Sequence, residues 1–76
     1  MKLSAYISEQ PGLTETAFAQ LVGVSQVTIN RYVRSERFPD PAMIERISEA
    51  TDGKVSVTDW YEQAAEARAA KSGQAA

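Results

Sequence analysis

The chain of 76 residues contains no cysteine and no histidine. Without cysteine it can form neither a disulfide framework nor a thiolate metal site, and without histidine it lacks the commonest metal ligand and general base. We also find no nucleophile–base pair and no phosphate-binding loop in the sequence. We therefore expect a protein that is not an enzyme and that needs no cofactor.

Long hydrophobic runs are missing as well. The first six residues lack the apolar stretch of a signal peptide, and no segment has the roughly twenty apolar residues that are needed to cross a bilayer. These absences predict a cytoplasmic protein with no membrane partner. The length suffices for one domain whose single core is small.

Positive charge is scarce: eight basic residues stand against ten acidic ones, which gives a formal net charge of −2. The charges are unevenly distributed, however. Residues 14–38 carry three arginines against two glutamates, whereas residues 40–70 carry seven acids against three basic residues. Because charges are screened within about 8 to 10 Å at ordinary salt, the balance at a contact surface matters more than the total. The composition therefore does not exclude a nucleic-acid partner for residues 14–38.

Residues 14–34 are typical of two short helices joined by a tight turn. Thr14 is a candidate N-cap, and apolar residues follow it at helical spacing. Gly23 comes just after the last of them, where a helix often ends in a left-handed conformation that glycine adopts without steric cost. Ser25 offers a second N-cap two residues later. Two helices so close in sequence must cross steeply, which predicts a helix-turn-helix motif.

The second of these helices has two different faces. At about 100° per residue, Ile29, Tyr32 and Val33 fall on a side that can pack against the protein. Amides can pair with adenine edges, guanidinium groups with guanine or phosphate, and aliphatic groups with the thymine methyl. Such groups occupy the opposite side of the helix, at Gln26, Val27, Asn30, Arg31 and Arg34.

In these residues the chain resembles the phage Cro and CI repressors and the wider XRE-type regulators. The resemblance extends more loosely to Pro39 and to residues 44–53, and it covers residues 2 to about 62. It departs from the family pattern at Leu21, where relatives usually carry a polar or basic residue, and at Ser35 and Glu36, which replace a common small-residue-plus-glycine exit. The matching positions are residues 18–19, residues 22–26, Ile29 and Tyr32.

The resemblance implies an all-α, five-helix Cro/CI-type helix-turn-helix domain whose second motif helix, residues 25–34, lies in the major groove. In the family, the positions that match Gln26, Val27, Asn30 and Arg31 face the bases, and the starts of both motif helices contact phosphate. Arginines at the edge of such a surface contact phosphate more often than bases. The candidate phosphate contacts are Thr14, Thr16, Ser25, Thr28, Arg34 and Arg37.

The remaining segments predict three further helices. One covers residues 2–10 and ends at Pro11 and Gly12. Another begins at Asp40, a capping carboxylate followed by a proline, and ends near residue 53. Residues 54–57 alternate in polarity, so they form either a short strand or an extended connector. A last helix opens at Thr58 and Asp59. We expect the domain to comprise residues 1–71 and the tail at 72–76 to be disordered.

These features predict a sequence-specific, double-stranded DNA-binding transcriptional regulator, such as a repressor, associated with the nucleoid. One helix reads only a few base pairs, so specificity requires two copies about 34 Å apart on the DNA. We therefore expect a homodimer on an inverted repeat. Its candidate interface lies in the last part of the chain, at Val55, Val57, Trp60, Tyr61 and Ala64.

Two alternatives remain open at the level of the sequence. The polar face of the second motif helix can be a solvated surface, and Trp60 and Tyr61 can cover the core instead of anchoring an interface. The whole chain can also be a protein-interaction module, such as an antirepressor, an antitoxin or a co-activator. It would then use Leu21, the two aromatic residues and its acidic surface on a protein partner.

Overall fold

Five helices follow one another in the computed structural model, which describes the backbone of residues 1–75 and the side chains of residues 1–70. No strand occurs among these residues, so the predicted all-α, five-helix architecture is confirmed. The expected domain boundary at residue 71 and the expected disordered tail at 72–76 lie outside the residues described with their side chains. The helices are α1 (Leu3–Glu9), α2 (Glu15–Val22), α3 (Gln26–Val33), α4 (Pro41–Ala50) and α5 (Val57–Ala75).

The starts of three helices are fixed by the side-chain caps that the sequence predicts. Thr14, Ser25 and Asp40 each accept a hydrogen bond from the backbone N–H three positions later, at 3.1, 3.2 and 2.8 Å. Such caps satisfy N–H groups that have no partner inside the helix. Gly23 ends α2 with a φ of 78°, in the left-handed region, which allows α3 to begin after only two more residues. Local residue chemistry therefore sets the helix-turn-helix boundaries.

The core lies where all five helices meet. Two aromatic pairs join distant segments of it: the rings of Tyr6 and Phe18 are 6.1 Å apart between centroids, and those of Tyr32 and Trp60 are 6.0 Å apart, both edge to face. Edge-to-face packing suits the charge distribution of aromatic rings. The buried apolar side chains are Leu3, Phe18, Ala19, Val22, Ile29, Tyr32, Met43, Ile47, Val55 and Trp60.

The segment between α4 and α5 is a turn, so the strand considered for residues 54–57 does not form. The hydroxyl of the buried Thr51 donates to the Ile47 carbonyl at 2.8 Å and accepts from the backbone N–H of Val55 at 3.1 Å. These bonds hold the Val55 side chain inside the core, where it is fully buried. The alternating polarity thus reflects one inward residue in a turn, and Val57 is already the first residue of α5.

The start of α5 is stabilised by an aspartate in its first turn. Asp59 Oδ2 accepts from the backbone N–H of Ser56 at 2.8 Å and from the Ser56 hydroxyl at 3.0 Å. The same oxygen accepts from the amine of Met1 at 2.7 Å. Burial raises the pKa of Asp59, but these donors outweigh it and hold the pKa below its ordinary value. The helix begins at Val57, one residue before Thr58, where the sequence predicts that it opens.

Among the residues that the structure describes, no helix combines the length and the apolar character that a bilayer-crossing segment requires.

Candidate nucleic-acid interface

The two faces predicted for α3 are separated in the structure. Ile29 and Tyr32 are buried, and Val33 packs partly against the core. On the other side Gln26 and Arg31 are exposed. Val27 is 56% exposed although it is aliphatic, so no described part of the chain covers the face that it shares with them. The face is a surface that a ligand can reach.

Contacts at both ends hold α3 in place. At its start, the backbone N–H groups of Gly23 and Val24 both bond to the Ala19 carbonyl, at 2.9 and 3.0 Å, which keeps the turn after α2 tight. At its end, the amide of Gln63 on α5 donates to the carbonyl of Tyr32 at 2.7 Å. The same carbonyl also accepts from the backbone N–H of Ser35 at 3.2 Å, so the bond from Gln63 is an additional one that joins α5 to α3.

One carboxylate organises two of the predicted base-contacting residues. Gln26 Nε2 and Asn30 Nδ2 both donate to Oε1 of Glu15, at 3.0 and 3.1 Å. The bonds draw the Asn30 side chain toward α2 and leave it half-buried. The sequence contains only a weak signal of this arrangement, namely two amides four positions apart and an acid in the first turn of α2. The sequence predicts that α2 and α3 cross, but which of their side chains meet is a tertiary property that it did not reveal.

The candidate phosphate contacts at the helix starts lie where the sequence places them. Thr14 and Thr16 are exposed at the start of α2. Ser25 Oγ lies 3.0 Å from Thr28 Oγ1 at the start of α3, so one of these hydroxyls donates to the other. Hydroxyl groups and backbone N–H groups near a helix N-terminus can together bind a phosphate.

The loop after α3 carries the two arginines predicted to contact phosphate. Arg34 and Arg37 are both exposed. Arg34 Nε lies 3.8 Å from Oε1 of Glu36, an exposed and loose ion pair. Ser35 between them has a φ of 61°, a left-handed conformation that glycine adopts at lower cost. The charge of Arg34 is therefore partly offset by its neighbour, whereas no acidic partner of Arg37 is found among the described residues.

The residues predicted to form a dimer interface divide into two groups. Tyr61 is 63% exposed, Val57 is also exposed, and Ala64 is half-buried. Val55 and Trp60 belong to the core, where Trp60 is 2% exposed. The prediction that these two lie in an interface is therefore wrong, because their side chains fill the space beneath α5.

An additional exposed aromatic residue, Phe38, was not among the predicted interface residues. Its ring packs against that of Tyr61 with centroids 5.3 Å apart. Together with Val57 and Ile44 these rings line a groove of about 710 Å³ between the loop after α3, α4 and α5. The sequence shows only an aromatic residue before a proline here, which does not indicate that the loop folds back onto α5.

A family model described as "Helix-turn-helix" matches residues 7–57, more than half of the chain, and the match includes α2, α3 and α4 in full. No curated protein and no solved structure matches the chain. Among the described residues, no group of three or more acidic side chains is arranged to hold a metal ion.

Proposed function

This chain belongs to the helix-turn-helix family, and we propose that it is a sequence-specific, double-stranded DNA-binding transcriptional regulator. The observation that carries the proposal is the open face of α3, where Gln26, Val27 and Arg31 are exposed while Ile29 and Tyr32 on the other side are buried. A helix is the right width for the major groove of B-DNA, where each base pair has a distinct pattern of donors and acceptors. α3 is the reading helix of this proposal.

Each group on the open face has a matching base edge. The amides of Gln26 and Asn30 can each accept from an adenine N6 amino group and donate to N7. Arg31 can donate to the two acceptors of guanine or to a phosphate, and the methyl groups of Val27 can contact the methyl group of thymine. These four residues would supply the sequence preference.

The remaining candidates would bind the DNA backbone and fix its register. Thr14 and Thr16 at the start of α2 and Ser25 and Thr28 at the start of α3 bring hydroxyl groups near helix N-termini, which favour an anion. Arg34 and Arg37 add positive charge beyond the end of α3. Bound at a promoter within the nucleoid, the protein would occlude or recruit the transcription machinery.

Selection from random double-stranded DNA tests the proposed function. The expected result is an enriched inverted repeat whose half-site centres are separated by about 10 to 10.5 base pairs, one helical turn. Genomic fragments that co-precipitate with the protein should contain the same motif. Enrichment of no sequence over the starting pool would contradict the proposal.

A second copy of the chain is the partner that we propose for Tyr61, Val57, Ala64 and Phe38. The first two are exposed, and Phe38 extends their surface through its contact with Tyr61. Burial of such aromatic rings contributes much of the free energy of many interfaces. A dimer would also present the two reading helices that a specific site of useful length requires.

Replacing Tyr61 with glutamate should therefore weaken self-association and lower the affinity for the full inverted repeat at least about 10-fold, a typical effect of losing an interface anchor. Affinity for a single half-site should remain unchanged. Sedimentation equilibrium with and without DNA gives the mass, and Glu62→Gln at the adjacent exposed position of α5 is the control. A wild-type mass that stays monomeric at every concentration and on the inverted repeat would contradict the homodimer.

One observation favours the alternative of a protein-interaction module. Leu21 on α2 is 68% exposed, at a position where family members usually carry a polar or basic residue. Trp60 does not support this alternative, because it is buried. An antirepressor, antitoxin or co-activator that docks through Leu21 and Tyr61 would bind its partner with little dependence on salt, unlike a DNA-binding protein.

Neutralising Glu36 should strengthen DNA binding. Glu36→Gln releases Arg34 from its loose ion pair and removes a negative charge beside the DNA backbone. We expect an affinity gain of about 1.5- to 5-fold for each copy of the chain that binds, the size of an exposed charge interaction, for every DNA sequence alike. Fluorescence anisotropy on the selected site and on a random duplex measures it. A gain confined to the selected site would instead indicate that Glu36 acts on base recognition.

A further inference from the structure

We propose that Glu15 is a specificity-determining positioning residue, whose carboxylate orients the two reading amides at a cost in affinity. The inference rests on the proposed function, since it concerns how Gln26 and Asn30 would meet the bases. Neither the helix-turn-helix pattern nor the resemblance to repressors assigned a role to this residue.

The geometry of the three side chains supports this role. Glu15 is the first residue of α2, and its backbone is fixed by the Thr14 cap beside it. Gln26 and Asn30 are four positions apart on α3, hence on one face of that helix. Both amide nitrogens donate to the same oxygen of Glu15, at 3.0 and 3.1 Å. One carboxylate oxygen on α2 therefore restrains two side chains on α3.

These bonds determine what the amides offer to DNA. In a planar amide the carbonyl oxygen and the NH₂ group occupy opposite ends, so an NH₂ group that faces Glu15 directs the oxygen away from α2. Each NH₂ group has two hydrogens, of which the carboxylate takes one. The oxygen and the second hydrogen remain for a base, and this pair is what the adenine edge requires. Glu15 thus favours adenine at the positions read by both amides.

The charge of Glu15 has the opposite effect on affinity. A carboxylate accepts hydrogen bonds but donates none, so it cannot bind a phosphate as the hydroxyls nearby can. Its negative charge lies close to the surface proposed to meet the DNA and is repelled by the backbone of any sequence. Glu15 should therefore lower the affinity for all DNA while it increases the discrimination between sequences. A residue with only a structural role would not both lower the affinity for all DNA and increase the discrimination between sequences.

Three variants separate positioning from charge and from folding. Glu15→Ala removes the acceptor and the charge, whereas Glu15→Gln removes the charge but keeps a carbonyl oxygen that both amides can reach. Glu62→Ala is the control, because it removes an equal charge from an exposed position on α5. Affinities are measured by anisotropy for the selected site, for every single-base change in one half-site, and for a random duplex, at one salt concentration.

With Glu15→Ala, we expect discrimination at the amide-read positions to fall about 10-fold, while affinity for the random duplex stays equal or rises. Glu15→Gln should keep the discrimination and bind all duplexes more tightly. Glu62→Ala should leave the preferences unchanged. In the free protein, the side-chain amide resonances of Gln26 and Asn30 should both shift in Glu15→Ala, without any DNA present.

Several outcomes would overturn the role. Unchanged base preferences in Glu15→Ala while the wild type is selective would overturn this inference alone. A loss of discrimination that Glu15→Gln does not restore, together with a lower melting temperature, would assign Glu15 to folding instead. A wild-type protein that prefers no sequence overturns the proposed function and with it this role, and that case is recognised in the wild-type data alone.

Discussion

Raising the salt concentration from about 50 to about 200 mM should weaken binding of the selected inverted repeat about 150-fold. Two copies of the chain would bring four arginines, Arg34 and Arg37 from each, to the DNA backbone. Each cation that neutralises a phosphate releases a counterion, so about four contacts give a slope of the logarithm of affinity against the logarithm of salt near −3.6. Anisotropy titrations at four or five salt concentrations measure that slope.

Arg37 provides a matched test of the same expectation. It is exposed, and no acidic partner is found for it among the described residues, so Arg37→Gln should reduce the magnitude of the slope by about 2 in a dimer, one contact per copy. Arg34→Gln should have a smaller effect, because Glu36 already offsets part of that charge. A slope near zero, with tight binding retained, would contradict phosphate contacts and favour a protein partner.

Trp60→Ala should destabilise the domain by about 3 to 5 kcal/mol in free energy of unfolding, the usual cost of deleting a large buried aromatic side chain. The Trp60 ring is 2% exposed and packs edge to face on Tyr32, the residue that anchors α3 in the core. Small domains have little stability in reserve. We therefore expect a substantial unfolded fraction at room temperature. Urea denaturation followed by circular dichroism measures the change and does not rely on tryptophan emission.

Two milder variants complete that experiment. Trp60→Phe keeps most of the ring volume and removes an indole N–H for which no hydrogen-bond partner is found among the described residues, so it should cost about 1 kcal/mol or less. Tyr61→Ala, next to it on the exposed side of α5, should change the stability of the monomer by less than about 1 kcal/mol. If Tyr61→Ala destabilised the monomer more than Trp60→Ala, the placing of Trp60 in the core and of Tyr61 on the surface would be contradicted.

The helix-turn-helix could be predicted because its determinants are local. A hydroxyl cap at Thr14, a glycine with positive φ at residue 23 and a second cap at Ser25 act on their own neighbours in the chain. The two faces of α3 also follow from helical periodicity alone, and the burial of Ile29 and Tyr32 agrees with it. These features depend on residues one to four positions apart and have recognisable sequence patterns, so they were read correctly.

Features that depend on distant segments could not be read in the same way. Trp60 and Tyr61 are adjacent and similar, and only the rotation of α5 against the core decides which of them is buried. One local feature was also left open: residues 54–57 could form a strand or a connector, because the Thr51 hydroxyl that holds the turn from four positions away shows no pattern in the sequence. The bonds of Glu15 to two amides on another helix likewise depend on how closely α2 and α3 approach.

The hydrogen bond from Gln63 to the Tyr32 carbonyl has a consequence for operator geometry. It joins the helix that carries Tyr61 to the final turn of α3, the helix that we propose to meet the bases. If two copies associate through Tyr61, the distance between their reading helices is fixed by rigid segments rather than by a linker. Insertion of one base pair between the half-sites would then have to be absorbed by twisting of the DNA.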